Sequence, residues 1–479
     1  MSSKKHTQLA VLGAGPGGYK AAFLAADLGL DTILIDPEKN PGGVCMYRGC
    51  VPTKALLHSV HQYRNMLNSK EIGIDTEGVR ADLDGIRAYK ERVIGQMTEN
   101  LGSLAKKRRV NHVRGYGGFT SPDSIQVEKV DGGSEEWEFE HALIATGSFP
   151  LSLPNVEFDG VNVISSKEAL ELPKLPSSML VVGAGFISLE LGSVYAGLGS
   201  RVTVAEMLPY IMPGADRDLI DEYLRHSGHL FEALKTNTSV ETIETGRDGS
   251  IVTFQDADGT TSRKEFETVL LTIGRKPNTA SLGLENAGVE TDKRGFIRVD
   301  SQRRSSQPSI FAVGDVTDTP LLAHKAAHEA LVAVKTITGQ SASYDPYALP
   351  AVEYTDPEIA WTGLTEDQAR EEGRQVEIGR FPWSASGRAA TQGRSDGMTK
   401  LIFAPDSHRV LGGGIVGIHA GELISEITLA IETGATADDL GMTIHPHPTL
   451  SETVMEAADD LFGRSTHSYR SGRSHQPGK

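Results

Sequence analysis

Cysteine is nearly absent: the 479 residues include two, Cys45 and Cys50. So few cannot build a disulfide scaffold. Both lie within six positions, which points to redox chemistry or metal binding in one short motif. Long apolar runs are missing too. Asp27, Glu422 and Glu426 interrupt the longest of them, and none reaches the ~18 residues a membrane helix needs. Basic residues are in deficit, 47 Lys and Arg against 63 Asp and Glu, for a net charge of −16. A nucleic-acid binder would carry the opposite balance, whereas a basic protein partner is compatible with this one. Met1 to Thr7 is too short and polar for a signal or transit peptide, so a cytoplasmic location is expected. Membrane, secreted, fibrous and disordered classes are excluded, and 39% hydrophobic residues leave material for cores in about three domains.

What the chain does have is glycine in a repeated pattern. A strand over Gln8 to Leu12 leads into Gly13-Ala14-Gly15-Pro16-Gly17-Gly18, a helix to about Gly29, and a strand from Thr32 ending on Asp36. A second strand, Met179 to Val182, leads into Gly183-Ala184-Gly185-Phe186-Ile187-Ser188, a helix, and a strand from Arg201 ending on Glu206. The first glycine stands 23 residues before the acid in both copies. One such pattern is a weak signal. Two, each in a strand–turn–helix context with an acid at the same distance, point to two dinucleotide-binding units. The helix N-terminus offers free N–H groups to a pyrophosphate, and the acid accepts from ribose hydroxyls. Glu206 favours NAD over NADP, because a 2′-phosphate would face a carboxylate. Without a ligand, the same glycines would serve only a packed turn.

Strands running into Gly147 and Gly274 close the two units. A third strand, Ile310 to Asp315, returns afterwards, which suggests that the second unit is inserted into the first. Between the copies the spacing predicts an amphipathic helix from about Asp82 to Arg109, with Ile86, Val93, Met97, Leu101 and Leu104 sharing one face. Its basic end, Lys106 to Arg109, suits a solvated C-terminal turn favoured by the helix dipole, with a nuclear signal or an anion patch as the alternative. The expected class is α/β: residues 1–150 and 275–348 for the first nucleotide unit, 151–274 for the second, and 349–464 for a C-terminal α+β dimerisation domain. A disordered tail over 465–479 completes the expected division.

Cys45 and Cys50 are separated by four residues, and Pro52 near the start of the following apolar stretch puts Cys50 at a helix N-terminus, where a thiolate is stabilised. A disulfide that opens and closes is one reading. Two inert thiols, or a metal site completed by His58 and His61, are the others. Near the C-terminus, His447 stands between Pro446 and Pro448 with Glu452 five residues on. This suits a base held by a carboxylate, although an isolated histidine is more often a satisfied structural one.

Gly42-Gly43-Val44-Cys45, Cys50-Val51-Pro52-Thr53-Lys54, Gly314-Asp315, Leu321 to Lys325, Phe381 to Arg388 and His445 to Glu452 together resemble the flavoprotein disulfide reductases. Within them the likeness is to the dihydrolipoyl dehydrogenase branch, from about Gln8 to Phe462. The resemblance implies a homodimer that oxidises dihydrolipoamide on a lipoylated E2 or a glycine-cleavage H protein, using FAD and NAD, with no metal, nucleic acid or membrane. FAD would lie along Gly13, Gly15, Gly18 and Asp36, with Gly117, Thr146, Gly147, Asp315 and Ala323. NAD would lie along Gly183, Gly185, Ile187, Glu190, Glu206 and Gly274. Cys45 would exchange with substrate, and Cys50 would face the flavin beside Lys54, itself paired with Glu190. His447, held by Glu452, would act from the other subunit, and His445 would not be the base. The chain departs from the family pattern at Met46-Tyr47-Arg48 and Thr53, and Arg48 lowers the thiol pKa values if it points inward.

Sister activities fit less well. Glutathione reduction would use NADPH, which Glu206 opposes. Mercuric reductases and large thioredoxin reductases need a further cysteine pair, and no cysteine follows Cys50. A non-catalytic assembly subunit would have no need of the cysteines, Lys54, Glu190 and His447 together.

Overall fold

The computed structural model describes residues 4–469. Its first sheet is built on the strand Lys5–Leu12, where Leu9 to Leu12 are almost wholly inaccessible. A parallel strand covered on both faces calls for such an unbroken apolar run. On one side it pairs in parallel with Thr32–Ile35, which pairs with Asn111–Val113. On the other it pairs with Ser134–Ile144. That long strand serves two partners at its far edge. Its first half pairs antiparallel with Ser124–Lys129, and its last three residues pair in parallel with Ile310–Ala312, more than 160 positions later.

The second sheet runs Ala233–Lys235, Arg201–Ala205, Ser178–Val182, Thr268–Leu271 and Val163–Ile164, all parallel. The polypeptide enters and leaves this region through a two-stranded neck, Ser148–Pro150 against Arg275–Pro277. The last sheet is antiparallel, in the order Ala351–Glu353, Glu358–Gly363, Val410–Gly417, Met398–Phe403 and Glu377–Pro382. Helices Ala420–Thr433 and Glu452–Leu461 cover it, packing Ile424, Ile427, Val454 and Ala457 into one apolar core. No helix among the described residues is long and apolar enough to cross a membrane.

Two expectations need correction. The helix Leu83–Lys107, capped by the Asp82 side chain, buries Lys90, Ile94, Thr98, Gly102 and Ala105. Met97 and Leu104 on the expected face are exposed, and Ile86, Val93 and Leu101 only half-buried. The buried stripe has a specific fit: Lys90 Nζ donates to Leu170 O at 2.8 Å, and a Cβ at Gly102 would sit 2.1 Å from Asn40 Oδ1. The tail begins with structure. Ser465 Oγ, the Thr466 N–H and His467 Nδ1 all bond to the buried Glu456 carboxylate. Residues 470–479, where the rest of the expected disorder falls, lie outside the described residues.

Candidate functional site

A cavity of about 880 Å³ runs the length of the first sheet's carboxyl end. Gly13, Gly15, Asp36, Gly117, Thr146, Gly147, Asp315 and Ala323 line it, and at its inner end stand Cys45, Cys50, Lys54, Ile187 and Glu190. Gly18 is not on the wall. A Cβ there would lie 1.8 Å from Gly13 O, so the bare α-carbon is what lets the helix Pro16–Asp27 seat against the strand. At Gly15 a Cβ would meet nothing, which leaves the loop backbone open to the cavity. Asp36 accepts from the Ala14 N–H through Oδ2 (2.8 Å) and from the Glu38 N–H through Oδ1 (3.0 Å). Each carboxylate oxygen keeps a free lone pair for a hydroxyl. These features fit an ADP moiety: open backbone, a helix N-terminus for phosphate and an oriented acid for ribose.

Cys45 lies in the short helix Gly43–Arg48, and Cys50 is the first residue of Cys50–Asn68. The two thiols are hydrogen-bonded, and the bond acts on them in opposite directions. It brings Cys50 down to about 7; burial opposes this, and the Lys54 ammonium assists it. The same bond, with burial, pushes the Cys45 thiol up. Lys54 Nζ donates to Glu190 Oε1 and Oε2 at 2.8 and 2.9 Å. Burial pulls the lysine pKa down, and the charge of Glu190 and its hydrogen bond outweigh that, leaving it raised. The result is a thiol of lowered pKa beside an ammonium that is itself paired with a carboxylate.

Arg48 does not serve the thiols. Its Nη1 donates to Glu38 Oε1 at 2.6 Å, next to Asp36 at the far end of the cavity. The metal alternative also finds no geometry. Eight residues of helix separate Cys50 from His58, about 12 Å. Among the described residues the one cluster of three acids is Asp216, Asp218 and Glu366. It surrounds Lys400 Nζ at 2.6, 2.6 and 3.2 Å, so an ammonium already fills the place of a cation.

In the second glycine loop, Glu206 repeats the Asp36 arrangement, accepting from the Ala184 and Leu208 N–H groups at 2.8 and 2.9 Å. Gly183, Gly185, Glu206 and Gly274 do not line the main cavity. Neither do His447 and Glu452. His447 Nδ1 bonds Glu452 Oε1 at 2.8 Å, and the His447 side chain is 74% exposed. Glu452 is held below the usual carboxylate range: burial pushes it up, and the Thr449 N–H and His447 more than reverse this. His445 is tied instead to Glu426 Oε1 at 2.7 Å and to Thr443 O.

Sequence reading missed three groups here. Ser148 Oγ donates to Asp315 Oδ2 at 2.5 Å and accepts from Arg275 Nε at 2.7 Å, forming a chain across the neck. Arg275 follows Gly274 directly, and that adjacency was the available signal. The third is Tyr354, whose ring lies 4.3 Å from Lys54 Nζ. Nothing local marks it.

The family described as "Pyridine nucleotide-disulphide oxidoreductase" matches residues 7–330, and its dimerisation domain matches 349–458. The chain is 44% identical over 466 residues to the dihydrolipoyl dehydrogenase of Vibrio cholerae, covering 97% of this chain and 98% of that one. It is 39% identical to the dihydrolipoyl dehydrogenase of Bacillus subtilis, covering 96% and 97%. Among solved structures, LpdA from Mycobacterium tuberculosis superposes with a TM-score of 0.88 at 27% identity, over 95% of this chain and 99% of that one.

Proposed function

Since the chain belongs to the pyridine nucleotide-disulphide oxidoreductases, we propose that its Cys45–Cys50 pair takes electrons from a protein-bound dihydrolipoyl group for delivery to NAD+. Its activity is the oxidation of dihydrolipoamide with FAD and NAD as cofactors. One observation carries the assignment of residues. Cys50 opens a helix on the wall of the nucleotide cavity, hydrogen-bonded to Cys45 and backed by the Lys54–Glu190 pair.

A substrate thiol, deprotonated by His447, attacks Cys45 and opens the disulfide, and Cys50 leaves as a thiolate beside Lys54. The second substrate thiol then displaces Cys45, closing lipoamide and leaving the enzyme dithiol. Glu452 holds the His447 ring by its Nδ1, so that Nε2 faces the incoming thiol. Bound FAD supplies the two-electron step from this dithiol to NAD+. Asp36, Asp315 and the Gly13–Gly18 loop would hold that cofactor, and Glu206 would hold the ribose of NAD+.

The finer reading is a cytoplasmic homodimer that serves a lipoylated E2 or a glycine-cleavage H protein. It includes the expected division at 150, 274 and 348. The dimerisation-domain match and the bare, exposed Met442 and Ile444 beside His447 support two chains sharing each site. The net charge of −16 suits a basic E2 segment.

The test mixes Cys50→Ser chains with His447→Ala chains, each alone nearly inactive in dihydrolipoamide-dependent NAD+ reduction. In a two-fold heterodimer one site receives both lesions and the other neither, so random pairing should restore about a quarter of parent activity. Confirmed exchange with nothing restored would place His447 and the cysteines of one chain in one site and reject the shared arrangement.

A further inference from the structure

Next to the Lys54–Glu190 pair is a second carboxyl group that the proposed chemistry leaves unused. Glu353 ends the strand Ala351–Glu353, is 1% exposed, and its Oε1 has no hydrogen-bond partner. The following residue belongs to the same pocket: the Tyr354 N–H donates to Glu190 Oε1 at 3.1 Å, and its ring contacts Lys54. The titratable groups facing Glu353 are Lys54 from the cysteine helix, Glu190 from Phe186–Gly197 and Tyr223 from Arg217–Ser227.

Two buried acids therefore face one ammonium. Ionising both would leave an uncompensated charge away from water. Glu190 has both oxygens on Lys54 and a peptide N–H besides, which makes it the ionised member. Burial first, and the Glu190 charge second, hold the Glu353 carboxyl well above the usual carboxylate range.

We propose that Glu353 and Glu190 share a single negative charge opposite Lys54, with Glu353 as the protonated reserve that ionises when Glu190 is neutral. Glu353 is thus a positioning residue. It keeps the field on Cys50 at one ammonium and one carboxylate. The inference rests on the reading of Lys54 and Glu190 as part of the redox site, but its test does not depend on turnover.

Infrared spectra of the flavin-loaded protein, parent minus Glu353→Gln, should contain the C=O stretch of a protonated carboxyl near neutral pH. In a Glu190→Gln background the same subtraction should lack that band, because Glu353 has taken the charge. A second readout is the thiol titration of the reduced protein. Either single variant should leave the Cys50 midpoint in place, whereas the double variant should lower it by about one unit, because no carboxylate then opposes the thiolate. Absence of the band in the parent overturns the proposal. So does its persistence in Glu190→Gln, or a midpoint that moves as far in Glu190→Gln as in the double variant. Loss of dihydrolipoamide oxidation with the infrared pattern intact would count against the functional reading alone. Should Glu353→Gln fold poorly, the thiol midpoint of Glu190→Gln against the parent still decides.

Discussion

The two glycine loops answer the same physical problem with different tolerances. In both, the first glycine has a left-handed backbone, φ +92° at Gly13 and +98° at Gly183. In both, the acid ending the next strand accepts from the loop's second residue at 2.8 Å. They part at the third position. Gly18 is pressed against Gly13 O, whereas Ser188 has room for a side chain and uses it, its Oγ bonding Thr272 Oγ1 at 2.8 Å. The first turn therefore admits no side chain at the position where the second accommodates one. The first loop opens on the cavity of about 880 Å³, and the second does not line it. A cofactor held through every turnover suits the first, and a nucleotide that comes and goes suits the second.

Exchanging the third residues should break the symmetry hardest. Gly18→Ser puts a Cβ inside the contact radius of a backbone carbonyl, and ~4 kcal/mol or more of stability should go with it. The variant should purify without flavin, as read by absorbance and thermal melting. A flavin-loaded Gly18→Ser that melts like the parent would show that close helix packing is not the reason for the glycine. Removing the acids should sharpen the contrast at intermediate size. Asp36→Ala should weaken flavin retention, whereas Glu206→Ala should keep the flavin and raise the KM for NAD+ about 10- to 100-fold, the loss of charge-assisted hydrogen bonds. It should also narrow the preference over NADP+ in steady-state kinetics. Equal effects of the two variants on flavin content would erase the distinction. The smallest effect should come from Ser188→Gly, about 1 to 2 kcal/mol for a lost hydrogen bond and a glycine in a helix. Calorimetry should register it with flavin content unchanged.

The sequence made these loops legible because each is local. Glycine spacing, the strand before and the acid after lie within 29 residues, and Cys45, Cys50 and Lys54 within ten. Glu190 was reached only through the family resemblance, since its partner Lys54 is 136 positions away. Periodicity failed on Leu83–Lys107 because it rewards apolar side chains, whereas that helix turns inward a lysine with a carbonyl partner, a threonine and a glycine against Asn40. The direction of Arg48 depended on Glu38, a surface acid until the chain folds back. Glu353 was invisible for a similar reason. An acid in a short strand reads as a solvated edge, and only the assembled pocket makes it a buried one.

The pairing of Ser134–Ile144 with Ile310–Ala312 also has a consequence in time. The first sheet lacks one of its strands until some 165 more residues have been made. At ~5–20 residues per second that is a wait of roughly 10 to 30 s. The neck brings both ends of the intervening stretch side by side, so that stretch can fold as a closed loop while its host is incomplete. Ribosome-bound chains halted after the neck but before Ile310 emerges should show 151–274 resistant to protease and the first sheet still cleavable. The part of the molecule inserted second is then the part finished first, and a lesion in it would hold an unfinished flavin site open to aggregation for as long as translation lasts.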